Sequence, residues 1–476
     1  MNVNAYIDSP AGEFEKKIAK LYIFLLTLNM IGPLTFTQTF FHAAAAKTDF
    51  VLHVIGIYLI LRRNHWNIRF TDSSESRLLK FFAGVVLLLN VSSLVMACVM
   101  QSSYGSIGSD TAFSAISGMI IYWFQYVFIF WYNKEIFSFL TKEEIVKVLQ
   151  AEMWALLVLS YIQLAAMNIG AVGSIYDKLD IFSVFVDKRI MTKVSLTGTE
   201  GASAGGIISI LVMPFLLSCI LNRKQHKKEI IQILLWIPPL YNTNSSTAYM
   251  TTAAVFVIFI FVGGKRGIIS RNALLILCGV AGVLLVIYLN GDTILSLMPE
   301  DMSEQIRYLL FEKATDHDNG STVSRTIPLI TNWGAFTEYP FLGVGNGCQG
   351  YFYRKYFPSW AMNVAGSDVM VFYERAGQGI ANGAVFFPSV LSGYGIAGTL
   401  FLVIYLFKSH RLLKSKKGKL GMFVDFYWLA LIPIFMNGFQ GEFAGEYYIF
   451  FLLSIPYMVP DRSEEGELEL EGVYSE

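Results

Sequence analysis

The sequence predicts an all-α polytopic integral membrane protein with about twelve transmembrane helices and two structured external loops. Hydrophobic residues make up 54% of the 476 residues and charged residues only 15%, whereas soluble domains carry about 25% charged residues. The mean hydropathy is +0.50. The apolar residues also fall into separate runs near the roughly 20 residues that a helix needs to cross a bilayer.

Twelve such runs follow one another, of which the second and seventh are the shortest. They lie at 21–43, 48–61, 81–100, 113–132, 148–171, 205–222, 229–243, 247–264, 272–290, 384–407, 420–440 and 445–460. The residues before them, MNVNAYIDSPAGEFEKK, are polar and acidic. We therefore expect the run from Leu21 to be a first span and not a cleaved signal.

Positive charge predicts the orientation. With a cytoplasmic N-terminus, about 25 of the 36 Lys and Arg residues lie on the cytoplasmic side, as the positive-inside rule requires. Both termini are then cytoplasmic. The predicted segments are an N-terminus (1–20), helices 1–5 (21–171), a first external loop (172–204), helices 6–9 (205–290), a large external loop (291–383), helices 10–12 (384–460) and an acidic, solvated tail (461–476).

The large external loop is too long for a simple connector and is expected to have structure of its own. Its stretch SRTIPLITNWGAFTEYP predicts a helix with Ser324 as N-cap, Pro328 in the first turns and apolar residues on one face. Arg325 then lies in the first turn, where N–H groups and a guanidinium together favour an anion. The alternative is an ion pair between Arg325 and Asp316 or Asp318.

The helix is followed by TEYPFLGVGNGCQGYF, a glycine-rich turn among aromatic residues. Its spacing lacks the Lys-Ser/Thr of a P-loop, so it does not predict a nucleotide site. We expect the turn to fold the chain back over the outer face. The neighbouring aromatic side chains fit sugar stacking, a membrane interface or a small core. Cys348 is alone in the external loops, which excludes an intramolecular disulfide there.

The order of these features resembles the O-antigen polymerase and ligase (Wzy/WaaL-type) family. That pattern is Gly/Ser-Arg, about a dozen residues, an acidic residue or Asn before Pro, Gly-x-Gly-x-Gly, then an Asn ahead of a glycine-containing span. This chain has Ser324-Arg325, TEYPFLGVGNG and Asn382, and the likeness covers roughly residues 205–410. The matching glycines of the span are Gly393, Gly395 and Gly398.

One position departs from the family pattern. Family ligases and many polymerases carry a His before the Asn, whereas Ala381 precedes Asn382 here. The large loop's only His, His317, lies upstream of Arg325 and is expected to be a solvated loop residue. This departure favours a polymerase over a ligase.

The resemblance implies a bacterial plasma (inner) membrane enzyme that joins undecaprenyl-pyrophosphate-linked oligosaccharides at the outer leaflet. It implies a chain-length regulator and a flippase as partners besides the lipid bilayer, and no nucleic acid. Arginine neutralises a leaving pyrophosphate without a metal, so we expect no metal and no cofactor. The implied catalytic residues are Arg325, Glu374 and Asn382, and the implied substrate-binding residues are Arg189, Lys188, Gly343, Gly345, Gly347 and Gln378.

Two of these assignments leave alternatives open. The basic cluster around Arg189 fits either the family's loop arginine or pairing with the nearby acidic residues, which are Asp177, Asp180 and Asp187. The general base has four candidates, which are Glu200, Glu338, Asp368 and Glu374. Glu374 is the first choice because it lies beside Arg375 and near Gln378 and Asn382.

Two other functions compete with the polymerase. A ligase would transfer a finished glycan onto a lipid A core or a protein. A transporter would place charged or broken-helix sites at the bilayer midplane. The predicted spans carry few charges, while the charged regions lie outside them, which favours an outer-leaflet enzyme. The sequence LYNTNSSTAYMTT between spans seven and eight predicts a polar outer turn, either part of the site or a plain connection.

Overall fold

The structure is a computed structural model that describes residues 12–28, 49–63, 73–178, 193–196, 201–223, 226–267, 320–363, 373–374, 376, 379–380, 385–439 and 447–458. Within these residues the chain is helical and has no β-strand beyond a single bridge between Ile107 and Asp110. The prediction of an all-α protein is confirmed for this part of the chain.

The longer helices of the described residues are named here in chain order, and the short helix Lys417–Leu420 and the 3₁₀ turns are left unnumbered. They are α1 (Glu13–Leu28), α2 (Asp49–Arg63), α3 (Ser74–Tyr104), α4 (Ala112–Phe137), α5 (Lys142–Asn168), α6 (Gly170–Lys178), α7 (Gly201–Gly206, Ile207–Val212 and Met213–Asn222 in succession), α8 (Lys227–Tyr241), α9 (Ser246–Lys265), α10 (Gly320–Glu338), α11 (Phe386–Ser415), α12 (Met422–Gly438) and α13 (Tyr447–Leu453).

Helices α3, α4, α5, α7, α9 and α11 are each long and apolar enough to cross a membrane, whereas α2 and α12 are apolar but shorter. This is the pattern of a multi-pass membrane protein. The count of twelve spans stays a prediction. The predicted ninth span, 272–290, lies outside the described residues, as does the chain between α1 and α2.

The helices begin where the sequence supplies caps. Thr111 and Ser114 form a reciprocal capping box at α4, and Thr141 and Glu144 form another at α5. Ser245 caps α9 by accepting a hydrogen bond from the backbone of the first turn. Each cap satisfies N–H groups that the helix itself leaves without partners, so these starts are locally encoded.

Helix α7 is the centre of the bundle, since 94% of its most apolar stretch is buried. Residues Ile207–Val212 form a π-helical turn, a geometry that is rare in helices. Two adjacent glycines let neighbours approach closely: a Cβ on Gly205 would lie 2.4 Å from the Ala248 side chain, and one on Gly206 would lie 2.7 Å from the Tyr448 hydroxyl. The start of α7 therefore packs directly against the start of α9.

The helix ends that the sequence assigns to the cytoplasm are tied together on one face of the bundle. Ion pairs join Lys20 to Glu144, Arg62 to Glu15, Arg266 to Asp425 and Lys416 to Glu75. The Lys142 ammonium adds a hydrogen bond of 2.9 Å to the Lys419 carbonyl. The alternation of helix directions therefore fits the predicted topology, and the compartment that this face meets stays a prediction.

Cysteine labelling tests the orientation. Ser109 is exposed in the turn between α3 and α4, and Ser415 is exposed at the charged face. We expect a membrane-impermeant maleimide to label Ser109→Cys on intact cells and Ser415→Cys only after the membrane is opened. Native Cys348 should resist labelling in the folded protein, because it is fully buried and burial raises the pKa of its thiol to about 12. The reverse labelling pattern would refute the topology.

Candidate functional site

The last long span, α11, is broken near the bundle face opposite the charged one. Gly395 has φ +62°, a left-handed conformation that interrupts the helix. A continuous helix would bond the N–H groups of Ile396 and Ala397 to the carbonyls of Ser392 and Gly393. The break leaves these four polar groups without helical partners, which inside a bilayer is tolerated only when the protein replaces them.

Residues 340–345 of the glycine-rich turn replace all four partners, and we call this segment the splint. Ile396 N–H donates to the Pro340 carbonyl (2.8 Å), Ala397 N–H to Phe341 (3.1 Å), Val344 N–H to Ser392 (2.9 Å) and Gly345 N–H to Gly393 (2.9 Å). Nearby, the Ser392 hydroxyl donates to the Asn332 amide oxygen at 2.6 Å. The turn therefore completes the broken helix and fastens it to α10.

The three predicted glycines of the turn are required by close packing. Gly343, Gly345 and Gly347 have φ values of +70°, +85° and +113°. A Cβ on Gly343 would lie 2.4 Å from the backbone of Gly393, and one on Gly347 would lie 2.4 Å from the Ala115 carbonyl. Their N–H groups donate to Tyr339, Gly393 and Gln349. Substrate binding by these glycines stays a prediction, and these N–H groups already have partners.

Arg325 lies further into its helix than the sequence predicts. The expected N-cap at Ser324 is wrong, because α10 begins at Gly320 and Arg325 is in its second turn. Pro328 does not mark the start of the helix. Its missing N–H removes one hydrogen bond, to the Ser324 carbonyl, and the chain upstream still forms a helical turn.

The guanidinium of Arg325 lies at the start of a different helix. Its Nη1 donates to the Thr247 hydroxyl at 3.3 Å, and Thr247 is in the first turn of α9. The N–H groups at the start of a helix carry partial positive charge. Together with the adjacent guanidinium they form an electrostatic environment that favours an anion. Thr247 belongs to the polar segment LYNTNSSTAYMTT, so part of that segment contacts Arg325. The alternative partners, Asp316 and Asp318, lie outside the described residues.

An apolar groove of about 700 Å³ lies between α11 and α12. Its lining residues on α11 extend from Phe386 to Leu406, about 30 Å of helix. Side chains along its edge are open to the surroundings: Val403 is 53% exposed and Phe435 is 55% exposed. Other lining residues include Trp123, Phe130, Leu402, Ile432, Phe439 and Phe450. In a bilayer such a groove is accessible sideways from the lipid.

Helix α10 joins the groove to the guanidinium. Leu329, Trp333 and Phe336 line the groove, and together with Arg325 they are spaced i, i+4, i+8 and i+11. Residues at these spacings share one face of a helix. Arg325 is therefore at one end of an apolar stripe that continues along the groove, so a cationic group and an apolar chain site lie on one helix face.

The structure brings the segment of Glu374 to this helix. Ile327 of α10 packs in one buried cluster with Ala376, and the Arg354 side chain donates to the Tyr373 carbonyl at 3.1 Å. Glu374 itself is exposed, so a substrate can reach its carboxylate. The predicted residues that lie outside the described residues are Lys188, Arg189, Glu200, His317, Asp368, Gln378 and Asn382.

Glu338, another candidate base, already accepts two hydrogen bonds from neighbouring side chains. Its Oε1 accepts from the Lys355 ammonium at 2.6 Å and from the Tyr356 hydroxyl at 2.5 Å. Partial burial opposes ionisation, but these two hydrogen bonds outweigh it and lower the pKa of the Glu338 carboxyl. A carboxyl with a lowered pKa is a weak base, so Glu374 is the stronger candidate of the two.

Thr247 is the site residue that sequence reasoning did not single out. A Ser/Thr-rich segment directly before an apolar run signals a helix N-terminus, which was the available clue.

Comparison of the chain with protein-family models and with curated proteins gave no match. Within the described residues, no three His, Cys, Asp or Glu side chains form a group that could hold a metal ion, and a metal-independent reaction stays a prediction.

Proposed function

We propose that the protein is a polymerase of a bacterial surface polysaccharide (O-antigen, capsule or exopolysaccharide). It joins undecaprenyl-pyrophosphate-linked repeat units at the outer leaflet of the plasma membrane. One observation supports this most: Arg325 lies at the end of the stripe of α10 that lines the apolar groove. A guanidinium beside a long apolar groove fits a lipid with a phosphate head group.

The groove suits the polyprenyl chain of such a substrate. It is long, lined by aliphatic and aromatic side chains and open at its side, so a carrier lipid enters it by lateral movement from the bilayer. Only the sugar and pyrophosphate then need to reach the aqueous face. There Arg325, with the first turn of α9 and Thr247, meets the pyrophosphate.

The reaction needs charge stabilisation more than covalent catalysis. A hydroxyl oxygen of the acceptor sugar attacks the anomeric carbon of the donor glycan. The bond from that carbon to the pyrophosphate oxygen breaks, and its electron pair stays with undecaprenyl pyrophosphate. The hydroxyl proton passes to a base, for which Glu374 is the candidate. Arg325 stabilises the charge that grows on the leaving oxygen, and Asn382 is assigned from the family pattern alone.

A transporter is the second candidate, because of one buried carboxyl. Glu152 lies inside the candidate span α5, is fully buried, and accepts a hydrogen bond from the Thr27 hydroxyl of α1. Ionisable groups within spans often mark transport or proton pathways. The polymerase accounts for the groove and Arg325 together, and it is therefore preferred.

Substitution of Arg325 tests the polymerase. We expect Arg325→Ala to lower polymerisation at least about 100-fold, because one preorganised electrostatic contact to the leaving group is lost. Cells should accumulate single repeat units on lipid while the protein stays at its normal level in the membrane. Arg325→Lys keeps the charge but loses the planar fork, so it should be intermediate at best. Lipid extracts and gel analysis of the polysaccharide measure both effects.

Arg411→Ala is the matched control for this test. Arg411 is exposed near the charged end of α11, where its guanidinium lies 5.9 Å from the centroid of the Phe407 ring, and it does not line the groove. Its exchange should leave the polymer nearly unchanged. Full-length polymer from Arg325→Ala cells would contradict the proposed role of Arg325. Unchanged polymer together with loss of a transported solute in Glu152→Gln cells would favour the transporter.

A further inference from the structure

A polar and aromatic patch lies at the C-terminal end of α10. Its members, which we call the tyrosine patch, are Tyr104, Tyr339, Tyr351, Tyr356, Glu338 and Lys355. It is on the opposite face of α10 from the groove. Gly334, one turn before Glu338, faces the Tyr356 ring so closely that a Cβ would lie 2.3 Å from it. One helix therefore separates the apolar groove from the patch.

The aromatic rings of the patch are held in place and remain accessible. The Tyr104 ring lies with its centroid 5.6 Å from that of Tyr351, and the Tyr351 hydroxyl donates to the Gly105 carbonyl at 2.7 Å. The Tyr339 ring packs edge-on against the Phe352 ring, with the centroids 5.9 Å apart. Tyr104 is nevertheless 42% exposed. A ligand would meet ring faces that are already ordered, which lowers the entropic cost of binding.

The charges of the patch cancel. Glu338 is paired with Lys355, whose side chain is 56% exposed, so the patch offers hydrogen-bonding groups without a net field for an anion. Exposed rings present an apolar face and a polar hydroxyl. A sugar has the complementary surface, because its C–H faces stack on rings and its hydroxyls bond to carboxylate, ammonium and phenol groups. This chemistry indicates a neutral saccharide in preference to a phosphate or nucleic acid.

We propose that the tyrosine patch binds the growing glycan of the donor, several sugars away from the reacting end. The proposal rests on the proposed function in one respect, namely that the pyrophosphate lies at Arg325. Thirteen residues of helix separate Arg325 from Glu338, about 20 Å. An oligosaccharide spans this distance and a single sugar does not. The patch therefore holds a lengthening chain between additions and favours long polymers.

Binding to the purified full-length protein tests the patch. The probe is the lipid-free oligosaccharide that mild acid releases from the host's lipid-linked pool. We expect Tyr104→Ala and Lys355→Gln each to weaken its binding about five-fold, with little dependence on salt. Because both side chains are exposed, the melting temperature should change only slightly. Cells carrying these variants should make shorter polymer. Tyr161→Ala is the matched control, because Tyr161 is 38% exposed on α5, which contributes no residue to the patch.

The outcomes separate this proposal from the proposed function. Unchanged binding and unchanged polymer length in both patch variants would overturn the patch, even if Arg325→Ala abolishes polymer. An equal loss in Tyr161→Ala would overturn it too, because the effect would not belong to the patch. Loss of binding in the patch variants, together with full polymer from Arg325→Ala, would leave the patch standing and refute the pyrophosphate site. Absence of any binding by the wild-type protein would overturn the patch.

Discussion

Gly343→Ala is expected to lower the free energy of unfolding by about 3 kcal/mol. A left-handed conformation costs a residue with a Cβ about 1–2 kcal/mol, and φ at Gly343 is +70°. The added methyl group would also lie 2.4 Å from the backbone of Gly393. Because that contact is with backbone, the splint itself must move away from α11. The hydrogen bonds of Val344 and Gly345 to α11 then weaken, at about 1 kcal/mol each.

The measurement is the melting temperature of purified protein in detergent, together with the amount of protein in the membrane. Gly84→Ala is the control, because Gly84 lies within α3 with open space around its Cα. Alanine is favoured over glycine inside a helix by roughly 0.5–1 kcal/mol, so the control should melt at or slightly above the wild-type temperature. Equal melting temperatures for Gly343→Ala and the wild-type protein would contradict the packing of the splint.

Lys416→Met is expected to destabilise the protein by about 3–5 kcal/mol, the usual cost of breaking a buried ion pair. The Lys416 ammonium has three donors and uses all of them. It meets the Glu75 carboxylate at 2.5 Å, the Pro456 carbonyl at 2.9 Å and the Met458 carbonyl at 2.8 Å. Lys416 is only 7% exposed. Its removal leaves the carboxylate of Glu75 buried without its cation and releases the chain that follows α13.

The same melting assay checks this prediction. Lys414→Met changes an exposed lysine of the same helix end and should shift the melting temperature by little. The double variant Glu75→Met with Lys416→Met should regain part of the loss, because no buried charge is then left alone. A double variant as unstable as the sum of the two single variants would show that the pair itself is not the stabilising element.

The class of protein and the position of most described helices could be predicted from the sequence. A helix that crosses a bilayer needs a long apolar run, and such runs can be recognised from the sequence alone. Helix ends were less predictable. Helix α3 begins at Ser74, seven residues before the predicted span at 81, because Ser73 caps it by accepting from the Ser76 backbone N–H and polar residues extend the helix beyond the apolar run. Glu152 was hidden in an apolar run, since one carboxyl barely changes the mean hydropathy.

The candidate site was predictable only in part. Arg325 stood out through its place in a helix and a family-like pattern, and the glycines indicated a turn. The partner of Arg325 could not be predicted, because Thr247 is 78 positions away and contacts between distant segments leave no periodic signal in one chain. The splint was equally hidden. Its hydrogen bonds use backbone groups, which every residue carries.

The splint also limits how this chain can be recombined with another. Residues 340–345 complete the backbone of residues 392–397, so the large loop and the first turns of α11 form one unit of exchange. Consider a chimera that keeps this α11 and takes the large loop from another protein. Its loop would not place N–H and carbonyl groups opposite the unpaired backbone groups of residues 392–397. Swaps intended to alter the proposed site should therefore place their crossover points before α10 and after Ala397.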